Sequence, residues 1–107
     1  LWAWGKNDYG QLGDGTTADV TIPKQIGTST WLAYAAGATH VVAIKADGSL
    51  WTWGRNNRGQ LGTGTTNNSA VPIRIGTGNN WVKVAAGYDF TFGIKSDGTL
   101  WAWGRNT

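Results

Sequence analysis

The chain runs to 107 residues and 11.4 kDa, the length of one small domain, which buries only about two-thirds of its unfolded surface. Nine Lys and Arg against six Asp and no Glu give a net charge of +3, and the basic residues are scattered along the chain, which argues against a nucleic-acid strip. Cysteine is absent, excluding disulfides, thiolate chemistry and Cys-based zinc sites, and no apolar run approaches the roughly twenty residues that insertion in a membrane as a helix requires.

The first element, Leu1 to Trp4, alternates aromatic and small residues and opens the motif LWAWGKNDYGQLGDGTT. The motif returns as LWTWGRNNRGQLGTGTT from Leu50 and begins again as LWAWGRNT from Leu100, at spacings of 49 and 50 residues. A period of that length with Trp-Gly signatures belongs to propellers, in which each repeat is one blade. Trp31 to Ala36 is a short apolar run ended by Gly37 and is read as strand one of a blade. His40 to Lys45, β-branched and apolar, is strand two, and Asp47-Gly48 after it predicts a two-residue hairpin turn. Leu50 to Trp53 is strand three, with Trp51 and Trp53 on one face. A long Gly, Asn and Thr segment follows, and strand four enters near Pro72 to Ile75, where Pro is tolerated at the start of an edge strand.

The fold class expected is therefore all-β: a propeller fragment of four-stranded antiparallel blades, with the whole chain part of one propeller domain. Residues 1–30 supply strands three and four of a first blade, 31–80 a complete middle blade and 81–107 the first three strands of a third. Eight tryptophans would supply the largest share of blade packing, roughly 2 to 3 kcal/mol for each large aromatic buried.

The motif Trp-Gly-x-Asn-x-x-Gly-Gln-Leu-Gly-x-Gly at Trp4 to Gly15 and Trp53 to Gly64, with Ala-Ala-Gly and Asp-Gly downstream, resembles the regulator of chromosome condensation repeat. The resemblance implies a seven-bladed ring of roughly 350 residues, of which this chain, opening at Leu1 and not at Met, would be a section. The family it resembles includes guanine-nucleotide exchange factors and an inhibitor of β-lactamase, whose functional residues lie outside the repeat signature and have no match in this sequence. The close likeness between the copies is similar to that of bacterial secreted or surface members, which sets the expected compartment.

Candidate chemistry is sparse. His40 stands where the second copy has Phe90 and has no partners at metal-ligand or catalytic spacing. Asp8 and Asp14 hint at a calcium loop, but the second copy replaces them by Asn57 and Thr63. Asp47 and Asp97 belong to turns, and Gly13 to Thr17 lacks the Lys and the following helix of a phosphate loop. Neither metal nor cofactor is expected, and no catalysis. Asn7, Asn56, Gln11 and Gln60 recur and are assigned to satisfying backbone groups where the long loop folds over the blade.

What does not recur lies in the loops joining strands one to two and three to four, which emerge on one face. Tyr9, Arg58, Tyr88 and Asp89 are the expected binding anchors there, since Tyr and Arg dominate interface energy. The function expected is a noncatalytic scaffold binding a protein partner through that face. The alternative is a structural element that self-associates through exposed blade faces, and exchange activity rests on the resemblance alone.

Overall fold

The computed structural model describes residues 1–27 and 29–105. Nine strands form three antiparallel sheets, and no helix occurs among the described residues. Strands β1 (Trp2–Gly5) and β2 (Val20–Gln25) make the first sheet. The second is a four-stranded meander of β3 (Trp31–Ala36), β4 (His40–Lys45), β5 (Leu50–Gly54) and β6 (Ser69–Arg74). The third holds β7 (Trp81–Ala86), β8 (Phe90–Lys95) and β9 (Leu100–Gly104).

The alternation of each strand gives the middle sheet two apolar faces. Ala33, Ala35, Val42, Ile44 and Leu50 form its aliphatic face and pack against Trp81, Val84, Ala86 and Trp103 of the third sheet. The tryptophans of the middle sheet lie on its other face, where the Trp31 and Trp53 rings sit 5.6 Å apart. The third sheet thus offers its tryptophan side to the aliphatic side of the second, the arrangement of successive propeller blades. Lys45 lies 3.8 Å over Trp51, and Lys95 repeats the contact 4.5 Å over Trp101, covering exposed ring faces with charge.

Two details differ from the expectation. The Asp47-Gly48 turn is not a two-residue hairpin: Gly48 N–H donates to Lys45 O at 2.9 Å and Lys45 N–H to Ser49 O at 3.0 Å, closing a three-residue loop. A two-residue type I′ turn needs positive φ at both central positions, and only Gly48, at +85°, supplies it; the loop is a type I turn ended by a left-handed glycine. Strand β6 also begins earlier than expected, at Ser69, so Pro72 is interior to it. The ladder shifts register there, pairing Gly54 with Ser69 and Thr52 with Ile73, which leaves the position of Pro72 without a backbone donor to supply.

Candidate functional site

The loops that carry the non-recurring residues meet at one end of the sheets. Arg55 N–H donates to Thr39 O at 2.9 Å and Arg105 N–H to Asp89 O at 3.0 Å, tying each long loop to the short loop of its own sheet. Ala38 N–H donates to Tyr88 O at 3.3 Å and Gly15 N–H to Ala70 O at 2.8 Å, tying neighbouring sheets together.

A buried asparagine organises each long loop. Asn7 donates from Nδ2 to the carbonyls of Thr16 and Ala18, both at 2.9 Å, and accepts from Leu12 N–H at 3.0 Å. Asn56 repeats this with Thr65 O at 2.9 Å, Asn67 O at 3.0 Å and Leu61 N–H at 2.9 Å. Gln11 and Gln60 accept from the backbone of Tyr9 and Arg58 at 2.9 and 2.8 Å. These four residues therefore do the work assigned to them from the sequence. The loop then presses on the next sheet: Trp53 Nε1 donates to Gln11 O at 3.0 Å, and a methyl group at Gly13 would lie 2.6 Å from that ring nitrogen, so only glycine fits.

The acidic residues serve the framework as well. Asp14 accepts from Thr16, Asn7 and the Lys24 ammonium, the last at 3.2 Å. Burial works to raise its pKa, but these bonds outweigh it and bring the carboxyl down to about 2. Thr63 takes the same place in the next loop, 3.2 Å from Asn56 Nδ2, which makes the position an internal acceptor with either residue. Asp47 and Asp97 accept from the hydroxyls of Ser49 and Thr99, both at 2.6 Å, which holds both carboxyls below the ordinary carboxylate range. Among the described residues no group of three or more His, Asp or Glu could hold a metal ion.

The four expected anchors are dispersed over the loop face, and one of them points inward. Tyr88 is 73% exposed and Arg58 is exposed. Tyr9 is half-buried, with the Arg55 guanidinium 4.5 Å from its ring centre, an attraction of roughly 0.5 to 1 kcal/mol. Asp89 is only 7% exposed and lies 3.8 Å from Arg105, so it supports the loop and does not offer a carboxylate to a partner.

One pairing escaped the sequence. Thr91 Oγ1 donates to Gln60 O at 2.7 Å and must therefore accept the proton of His40 Nε2, 3.0 Å away. His40 stands where the next copy has Phe90, and Thr91 where the previous copy has Val41; the two mismatches meet across the blade interface. Desolvation of His40 lowers its pKa below 6.5, although the Phe90 backbone and the Asp89 charge act the other way. The native state then binds fewer protons than the unfolded one just below that value, so stability falls as the pH drops through it. Melting measured between about pH 7.5 and 5.5 should show a falling midpoint that flattens in H40F, since the carboxylates titrate lower.

Blades built this way, with loops unmatched at one end, define a section of a β-propeller. The Regulator of chromosome condensation (RCC1) repeat matches residues 1–44 and 47–94, and the chain belongs to that family. Protein RCC2 homolog of Danio rerio is 42% identical over 53 residues, covering 47% of this chain and 11% of that protein. Its counterpart in Xenopus laevis is 38% identical over 53 residues, covering 47% of this chain and 10% of that protein. The chain thus spans about a tenth of the length of these relatives. Human WBSCR16 superposes with a TM-score of 0.86 at 23% identity, over 96% of this chain and 28% of that one. Prp20p of Saccharomyces cerevisiae, a structure reported together with its binding to Gsp1p and histones, gives 0.85 at 24% identity over 97% and 28%. A further structure shows yeast RCC1 (Prp20) bound to Kap60, with a TM-score of 0.83, 24% identity and the same coverage. These likenesses establish the propeller fold.

Proposed function

We propose that the chain is a noncatalytic binding module that recognises a protein partner through the loop face, with Tyr9, Arg58 and Tyr88 as its anchors. The observation that carries this reading is the contrast at that face between a framework bonded through buried Asn7, Asn56 and Gln60 and half-buried Gln11 and the unmatched side chains it holds outward. A fixed backbone presenting Tyr and Arg loses little entropy on binding. The protein partners of the yeast neighbours support a protein as the ligand.

The test substitutes Tyr9, Arg58 and Tyr88 together by Ala and compares capture of partners with that by the unmodified chain, using A46E with S96E on the opposite face as the control. Surface changes at Arg58 and Tyr88 should cost within about 0.5 kcal/mol each, so the fold survives. Loss of anchors should weaken binding by at least roughly 2 kcal/mol, about 30-fold. Equal capture by the triple variant, or loss caused only by the control pair, would refute the assignment.

A further inference from the structure

The two interfaces between sheets bond their long loops with different chemistry. Between the first and second sheets, Gln11 O accepts from the indole of Trp53 at 3.0 Å, and no titratable group takes part. Between the second and third, Gln60 O accepts instead from Thr91 Oγ1 at 2.7 Å, and the Trp103 indole nitrogen is buried with no hydrogen bond among the described residues. The hydroxyl proton is thereby committed to Gln60, which assigns the proton of neutral His40 to Nε2, 3.0 Å from Thr91 Oγ1. His40 Nδ1 is left as a buried acceptor to which no described residue donates.

The surroundings of Nδ1 suit a proton better than a lone pair. A methyl group at Gly37 would touch both His40 Nδ1 and Gly87 O, so the nitrogen and the carbonyl flank one spot. Burial holds the ring neutral near pH 7; against it, the Phe90 backbone and the Asp89 carboxylate favour the charged ring. Asp89 Oδ1 is itself buried without a hydrogen-bond partner among the described residues, while Oδ2 lies 3.8 Å from Arg105. The other elements packed around the ring bring neutral groups: Gly54 of β5, Gln60 of the long loop and Thr91 of β8.

Both exposed anchors are tied to this ring. Gln60 accepts at Oε1 from the backbone of Arg58 at 2.8 Å, and Tyr88 O accepts at 3.3 Å from the N–H of Ala38, two residues before His40. We propose that His40 is a proton-operated switch for the loop face. A proton on Nδ1 draws the Gly87 carbonyl and the Asp89 carboxylate toward the ring, and Tyr88, between them in the chain, leaves the position it holds when the ring is neutral. The switch rests on the reading that this face recognises a partner, and it makes that recognition pH-dependent. A partner held by the neutral arrangement competes with the proton, so binding weakens on acidification.

The switch can be read without any partner, from the amide proton–nitrogen NMR spectrum of the chain titrated from about pH 7.5 to about 5. The amides of Gly87, Tyr88 and Asp89 should move with the His40 ring protons and share one midpoint, below 6.5. H40Q, whose side-chain amide still donates to Thr91 but cannot titrate, should hold those amides still over the same range. D89N keeps His40 and removes the attracting charge, so the shared midpoint should fall further. Amides at 87–89 that stay still while the ring titrates overturn the proposal, as do amides that move alike in H40Q. A ring that takes no proton in that range also overturns it, and so does a D89N midpoint equal to that of the unmodified chain. Because no partner enters the titration, capture by the loop face can fail while the switch holds, and the reverse.

Discussion

Asn56→Ala should destabilise the chain by about 3 to 4 kcal/mol and lower its melting midpoint by well over 10 °C, by roughly 12 °C at the least. The side chain is fully buried and bonds three backbone groups of one loop, at Leu61, Thr65 and Asn67. Alanine leaves a buried Leu61 N–H and two carbonyls without their partner, each a net cost of about 1 kcal/mol or more. Thr66→Ala, in the same loop and exposed, should stay within about 0.5 kcal/mol. Thermal melts of both variants measure the difference. The loop that Asn56 holds also carries Arg58, so the variant should lose partner binding before it loses the fold.

Trp53→Ala should cost about 4 kcal/mol, in the range for a large aromatic removed from a core. The ring is 1% exposed, packs against Trp31 and donates to Gln11 O, so its removal opens a cavity between the first two blades and frees the loop of residues 6–19. Trp4 occupies the same repeat position but is 57% exposed, and Trp4→Ala should cost about 1 kcal/mol or less. Denaturant midpoints for the pair separate packing from composition, because the residue type is the same and the three flanking residues on each side differ only by Ala3 for Thr52 and Lys6 for Arg55. Equal losses would mean that the blades do not stack as described.

Much of this was written in the repeat. The positions of β3, β4 and β5, the paired tryptophan and aliphatic sides, and the duties of Asn7, Asn56, Gln11 and Gln60 follow from residues that recur at one spacing, since architecture is what the copies share. Three features were not legible, each for a physical reason. The Asp47-Gly48 turn was misassigned because the dipeptide suits both loop lengths and the choice depends on how Lys45 pairs with Ser49. Asp89 was expected at the surface because it differs from Thr39 in the other copy. In space both positions face the loop that follows, where Arg55 and Arg105 bond back to them. The His40–Thr91 bond joins two blades, and no pattern along one strand reveals a partner on another. Its signal was present all the same, in two departures from the repeat that compensate each other.

Exposure alone does not tell recognition from incomplete packing, and the two occur at different places on this molecule. The uncovered tryptophans and Leu100 lie on blade sides, where the repeat itself prescribes what covers them. Tyr88 and Arg58 lie at the loop end, which in the middle blade stays open even though every strand there is paired.

The most direct test of recognition by that end is a hydrogen-exchange footprint of the chain with and without a captured protein partner. Slowed exchange should appear in the loops at residues 7–13, 56–62 and 87–89, with the hairpins at 46–49 and 96–99 unchanged. Protection confined to those hairpins, with the long loops exchanging as they do in the free chain, would contradict the account.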